Sequence, residues 1–113
     1  MRRRVLRFGP GFKVLFGNRR SQAAQMVIRS DRAEGGPKNR HQGADQWLIV
    51  VSGKGVATIK RRSYSLQANT LLLIERGDQH EIRNTGRALL KTLNIYNPVA
   101  YRKDGGELPR ARS

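Results

Sequence analysis

The sequence predicts an all-β fold, either a closed barrel or a double-sheet roll, from three observations. No long segment keeps apolar residues at helical spacing between proper caps. Eight or nine short runs of strand-forming residues follow one another along the chain instead. Turn signals made of Gly, Pro, Asn and Asp punctuate those runs.

Taken in order, Phe12 to Phe16 is a short apolar strand that ends at the Gly17-Asn18 turn. Ala23 to Arg29 carries Met26, Val27 and Ile28. Arg32 to Asn39 reads as a loop, with Gly35-Gly36-Pro37 as its turn signal. Gln46 to Ser52 is the strongest strand. Period-two geometry puts Gln46, Leu48 and Val50 on one face and Trp47, Ile49 and Val51 on the other. A run apolar on both faces predicts burial on both sides. One set lines the barrel; the other packs on a second sheet or another subunit, so a homodimer is expected. Ser52-Gly53-Lys54-Gly55 turns the chain into Val56 to Ile59, giving a hairpin. Ser63 to Leu66 and Thr70 to Ile74 are the next strands, and Glu75 to Asp78 is a turn. His80 to Arg83 precedes the Asn84-Thr85-Gly86 turn. Leu89 to Tyr96 closes the series before Asn97-Pro98. The segment after Tyr101 reads as a loose tail.

At 113 residues, the chain is expected to form one domain over 1–113, with 37% apolar content to build a core. The absence of cysteine excludes disulfides, thiolate metal sites and cysteine nucleophiles, and fits a cytoplasmic protein. No apolar run is long enough for a membrane span. Arg7 and Gly9-Pro10-Gly11 interrupt any signal-peptide core, so the N-terminus reads as mature protein. The net charge of +15 is spread over termini and turns. It reads as a solvated surface or as attraction for an anionic small ligand. Nucleic acid is not the expected partner, because single-strand binding wants aromatics among the cations, and few are available. No nucleophile elbow or phosphate-binding glycine loop is present.

Chemistry concentrates in two segments, Asn39 to Gln46 and Gly77 to Asn84, each holding one of the chain's two histidines. Imidazoles flanked by turns and strands are metal-ligand candidates if the sheet closes and both face one pocket. Asn39 and His41 are two residues apart and share a face of an extended chain, as do His80 and Asn84. Asn94 and Tyr96 share a face of the last strand and are candidate pocket-lining residues. Plainer readings stand beside these. The histidines can be hydrogen-bonded core residues, Asn39 a loop cap and Gln46 a polar strand start. Asn84 can be a turn former, Gly53 and Gly77 turn glycines with positive φ, and Glu75 and Glu81 solvated carboxylates or acid–base groups.

The two segments resemble the two motifs of the cupin superfamily over roughly residues 25 to 97. Asn39, His41, Gln46 and Gly53 fall at the spacing of the first motif. Asn69, Glu75, Gly77, His80 and Asn84 fall at that of the second. The resemblance implies a small single-domain cupin-like jelly roll. It also implies a divalent metal (Zn, Ni, Fe or Mn) held by His41, His80, Gln46 and Asn39. In the family, two histidines and a glutamate of the first motif join the second-motif histidine around the ion. Here Asn39 replaces one histidine and Gln46 replaces the glutamate. Amide oxygens bind metal more weakly than carboxylates because they carry no charge. The ion's full charge would then favour a bound anion. The expected function is therefore metal-dependent binding or conversion of a small anionic or oxygen-rich molecule. The alternative is a non-catalytic small-molecule binding or sensing cupin without a functional metal.

Overall fold

The computed structural model describes residues 1–36 and 43–102. Nine strands fill it: β1 (Gly11–Gly17), β2 (Gln22–Ile28), β3 (Ala33–Gly36), β4 (Asp45–Ser52), β5 (Gly55–Ile59), β6 (Arg62–Leu66), β7 (Leu71–Ile74), β8 (His80–Asn84) and β9 (Leu90–Asn97). They form two antiparallel sheets, in the order β1-β2-β9-β4-β7 and β3-β8-β5-β6. No helix occurs among the described residues. The architecture is the double-sheet roll that the run of short strands predicts.

Alternation along the strands builds the interior. In β4, Gln46, Leu48 and Val50 are buried while Trp47, Ile49 and Val51 are exposed. In β9, Leu90, Thr92, Asn94 and Tyr96 are buried in the same rhythm. Met26, Ile28, Leu48, Val50, Ala57, Leu66, Ile74, Ile82 and Leu90 pack into one core between the sheets. A smaller cluster of Ala24, Ala44, Tyr96 and Ala100 lies beside Phe12 and Tyr101.

One expectation is corrected. Ala33–Gly36, expected to lie in a loop, is a strand paired with β8, from Ala33↔Arg83 to Gly36↔His80. The neighbouring strand supplies the ladder, so the segment needs little intrinsic strand propensity. Of the two expected covers for the outward face of β4, a second sheet is not found among the described residues, and another subunit remains the expectation. Trp47 is 43% exposed, because no second layer packs on that side among the described residues.

Turn chemistry sets the registers. Gly53 has φ 100°, and a Cβ there would lie 2.6 Å from the Leu89 carbonyl oxygen and 2.9 Å from the Leu90 Cα. Only glycine fits both constraints. The β5–β6 hairpin turns instead through Lys60 and Arg61, both left-handed at φ 50° and 70°, where Asn-Gly would be the relaxed choice. Asn84 acts as more than a turn former. Its Nδ2 donates to the Ile28 and Ala88 carbonyls, each at 2.8 Å, and its Oδ1 accepts from the Gly86 N–H at 2.8 Å. This single amide ties the end of β8 to the end of β2 in the other sheet.

The N-terminal arm is laid along the first two strands. Arg2 donates to the Gly17 carbonyl, Arg4 donates to the Leu15 carbonyl at 2.7 Å, and Gln25 Nε2 donates to the Arg7 carbonyl at 3.2 Å. Gln25 and Val27, on the outward side of β2, are buried.

Candidate functional site

His80 opens β8 and is only 5% exposed. The turn before it is built by Asp78. The Asp78 carboxylate accepts from the Glu75 N–H at 3.2 Å and pairs with Lys60 at 3.1 Å. The Asp78 carbonyl lies 3.1 Å from His80 Nδ1. A carbonyl only accepts, so Nδ1 carries the hydrogen and the ring's lone pair resides on Nε2. Burial lowers the His80 pKa from its ordinary 6.5, against the opposing pull of the Asp78 carbonyl and charge. The imidazole is therefore held neutral at pH 7, the form that ligates metal.

Gln46 lies on the inward side of β4, 2% exposed. Its amide is oriented by a chain of three inward-facing side chains. Thr92 Oγ1 donates to the Met26 carbonyl at 2.7 Å. Its oxygen is thereby an acceptor for Asn94 Nδ2, at 3.1 Å. Asn94 must then present Oδ1 to Gln46, and Gln46 Nε2 donates to it at 2.8 Å. Each donor fixes the next, so Gln46 Oε1 is the end left over. That oxygen is buried and finds no hydrogen-bond partner among the described residues. An orphaned buried carbonyl costs about 1–3 kcal/mol, which a ligand supplying a cation or an N–H or O–H donor would relieve.

Topology brings Gln46 and His80 to one end of the roll. Gln46 is the register partner of Ile74 in β7 and of Tyr96 in β9. The five residues from Glu75 to Gln79 connect Ile74 to His80. On the other side, His80 pairs with Gly36 in β3, and residues 37–44 lead from there to β4. Asn39 and His41 belong to that connection and lie outside the described residues. Tyr96 is buried at the same end, edge-on to Tyr101 with ring centroids 5.0 Å apart. Asn94 lies one inward step further along β9.

No group of three or more His, Cys, Asp or Glu side chains placed to hold a metal occurs among the described residues. The nearby acids are committed to the turn. Asp78 is described above, and Asp45 Oδ1 accepts from the Arg76 N–H at 2.9 Å. Glu81 lies on the outward side of β8, paired with Arg83 at 3.3 Å, and Glu75 is exposed. The donors in view are thus one imidazole and one neutral amide oxygen. Sequence reasoning missed Thr92 and the Asp78 carbonyl. The available signal for Thr92 was the alternation of Leu90, Thr92, Asn94 and Tyr96, which puts polar groups on an otherwise apolar inward face.

The model of the cupin domain family matches residues 26–96. The chain belongs to the cupin family. A comparison with curated protein sequences found no match. Among solved structures, the chain is similar to KdgF from Halomonas sp., with TM-score 0.71 and 16% identity over 82% of this chain and 80% of that one. It is similar to the Schizosaccharomyces pombe Cnp3 cupin domain, with TM-score 0.71 and 15% identity over 78% of this chain and 60% of that one. It is also similar to a predicted oxalate decarboxylase from Thermotoga maritima, with TM-score 0.69 and 20% identity over 78% and 79%. The chain spans 61% of the plu4264 protein of Photorhabdus luminescens and 60% of the Cnp3 domain. At these identities the likeness is one of fold. The cupin's jelly roll is the two-sheet arrangement described above.

Proposed function

We propose that this cupin holds a divalent cation at the end of the roll where Gln46 and His80 lie, and there binds or converts a small anionic or oxygen-rich molecule. The observation that carries the reading is Gln46 Oε1, a buried carbonyl oxygen oriented by Thr92 and Asn94 and left without a donor among the described residues. His80, neutral at pH 7 with its Nδ1 hydrogen engaged, supplies the imidazole. His41 and Asn39 complete the proposed donor set. A divalent ion bound there would supply Lewis acidity. Neutral amides in place of a carboxylate leave its charge uncompensated, so an anionic ligand is favoured. The solved neighbours include a KdgF and a predicted oxalate decarboxylase. The second name is compatible with this class of ligand, but fold likeness does not choose a reaction.

The test is elemental analysis of tag-free protein beside His80→Ala and Gln46→Leu, with folding checked by circular dichroism. The reading expects about one equivalent of divalent metal in the parent and a clear loss in both folded variants. Metal content near zero in all three would remove it.

A second reading is a ligand-binding cupin without a working metal. The commitment of Asp45 and Asp78 to the turn favours it, since it leaves no described carboxylate at the site as an acid or base. Thermal stabilisation by small carboxylates or sugar acids in the presence of a chelator would support it.

A further inference from the structure

A cavity of about 580 Å3 opens between the end of β1 and the segment that follows β9. That volume lies within the roughly 300–1,000 Å3 of small-molecule pockets. Val14, Phe16, Val99 and Tyr101 supply apolar and aromatic walls, and Arg2 and Arg102 supply cations. None of the described lining residues is acidic, and Gln46, His80, Asn94 and Tyr96 are not among them. We propose that this cavity is a second ligand site, separate from the Gln46–His80 site and independent of metal, for a small aryl carboxylate.

The walls are fixed before any ligand arrives. Gln22, itself only 6% exposed, bonds the Tyr101 backbone in both senses. Its Nε2 donates to the Tyr101 carbonyl at 2.7 Å, and its Oε1 accepts from the Tyr101 N–H at 3.1 Å. The Tyr101 ring is braced by those of Phe12 and Tyr96, with centroids 4.7 and 5.0 Å away. Arg2 is held as well. Its guanidinium lies 5.8 Å from the centre of the Phe16 ring and donates to the Gly17 carbonyl. Both of these partners are neutral, and the bond uses one of five guanidinium donors, so donors remain for a carboxylate. The surroundings also favour an anion. Residues 1–30 contain eight Lys and Arg and no Asp or Glu. The arm bonds to β1 and β2, and Arg19 and Arg20 follow the lining residue Asn18, so this charge gathers beside the cavity. Cations alone would suit a phosphodiester chain, but binding a single strand also needs aromatics placed to stack successive bases. Here Phe16 and Tyr101 line one concave pocket, which suits one ring system bearing one charge.

Calorimetric titration of the metal-free full chain with 2-naphthoate, with backbone amide shifts mapped by NMR, tests the proposal. Because no metal is present, the outcome does not depend on the Gln46–His80 reading. The expected result is one equivalent bound with a Kd of about 1 mM or tighter, and the largest shifts at Phe16, Asn18 and Tyr101. The uncharged 2-naphthamide should bind at least about tenfold more weakly, and Arg2→Gln should weaken naphthoate binding by a similar factor. Arg87→Gln removes the same unit of charge from an exposed position between β8 and β9. It should leave the affinity within about twofold of the parent, because solvent screens a distant charge. Failure to saturate at several millimolar overturns the proposal. So do largest shifts at Gln46 or His80, or a folded Arg2→Gln variant that binds as the parent does. If that variant does not fold, the amide decides alone: equal binding of naphthamide and naphthoate overturns the proposal, and weaker binding of naphthamide supports it. A thymidine oligonucleotide that binds while naphthoate does not would assign the cations to nucleic acid and overturn it too.

Discussion

Thr92→Val tests whether the polar chain inside the roll orients Gln46. The substitution keeps the side chain's shape and deletes one hydroxyl at a position with no exposure. The hydroxyl makes two bonds, donating to the Met26 carbonyl at 2.7 Å and accepting from Asn94 Nδ2 at 3.1 Å. Valine leaves the Asn94 N–H without its acceptor and removes one donor from Met26. At about 1–3 kcal/mol for a buried group left unsatisfied and about 1 kcal/mol for the second lost bond, the cost is about 2–4 kcal/mol. With a urea m-value of about 1–2 kcal/mol/M for a domain of this size, the unfolding midpoint should fall by roughly 2 M. Asn94 also loses the donor–acceptor sense that fixes its amide, so Gln46 is no longer held with its oxygen outermost. Metal or ligand affinity should then fall as well, and Thr92→Ser should restore most of both properties. A stability change within about 0.5 kcal/mol of the parent, the usual range for a surface substitution, would refute the reasoning.

Gln46→Glu should strengthen divalent-metal binding by at least about tenfold by adding the missing charge. Calorimetric titration should show this together with a less stable metal-free protein, since a carboxylate would face Asn94 Oδ1 where Nε2 now donates. The folded-state pKa of His80 is lowered, so the unfolded chain binds the proton more readily than the fold does. The stability from this group is complete above the ordinary 6.5 and is lost as pH falls through the lowered folded value. Denaturant midpoints between neutral and mildly acid pH should therefore fall less steeply in His80→Gln than in the parent, and parallel curves would count against the shift. Gly53→Ala should destabilise by about 2 kcal/mol or more, because it combines an unfavourable φ with a Cβ pressed on Leu89 and Leu90. Thermal melts would show it, and an unchanged melting temperature would mean that the β4–β5 turn relaxes freely.

Much of the fold is legible because strand parity and turn chemistry are local. The inward set Gln46, Leu48 and Val50 follows from period two, and Gly53 and Gly77 sit at the positive-φ turns that glycine marks. Ala33–Gly36 is not legible, because its ladder comes from β8 and its own residues carry no strand signal. The two apolar faces of β4 suggest burial on both sides, but the same pattern suits a face that is covered only by another molecule. At the site, the parity of His80 and Asn84 on β8 can be read in the sequence. The Gln46–Asn94–Thr92 chain cannot, since the register joining residues 48 apart is set by the whole sheet. The role of Asn84 as a tie between sheets is hidden for the same reason, as its acceptor at Ile28 is 56 residues away.

Titration of metal-free protein with Zn2+, followed by the nitrogen shifts of the His80 ring and the carbonyl carbon of the Gln46 amide, tests the central claim most directly. The account predicts that His80 Nε2 and the Gln46 carbonyl move together and saturate near one equivalent, with the Nδ1 hydrogen still bound to Asp78. Zinc that leaves both groups unmoved, or moves His80 without Gln46, would contradict it.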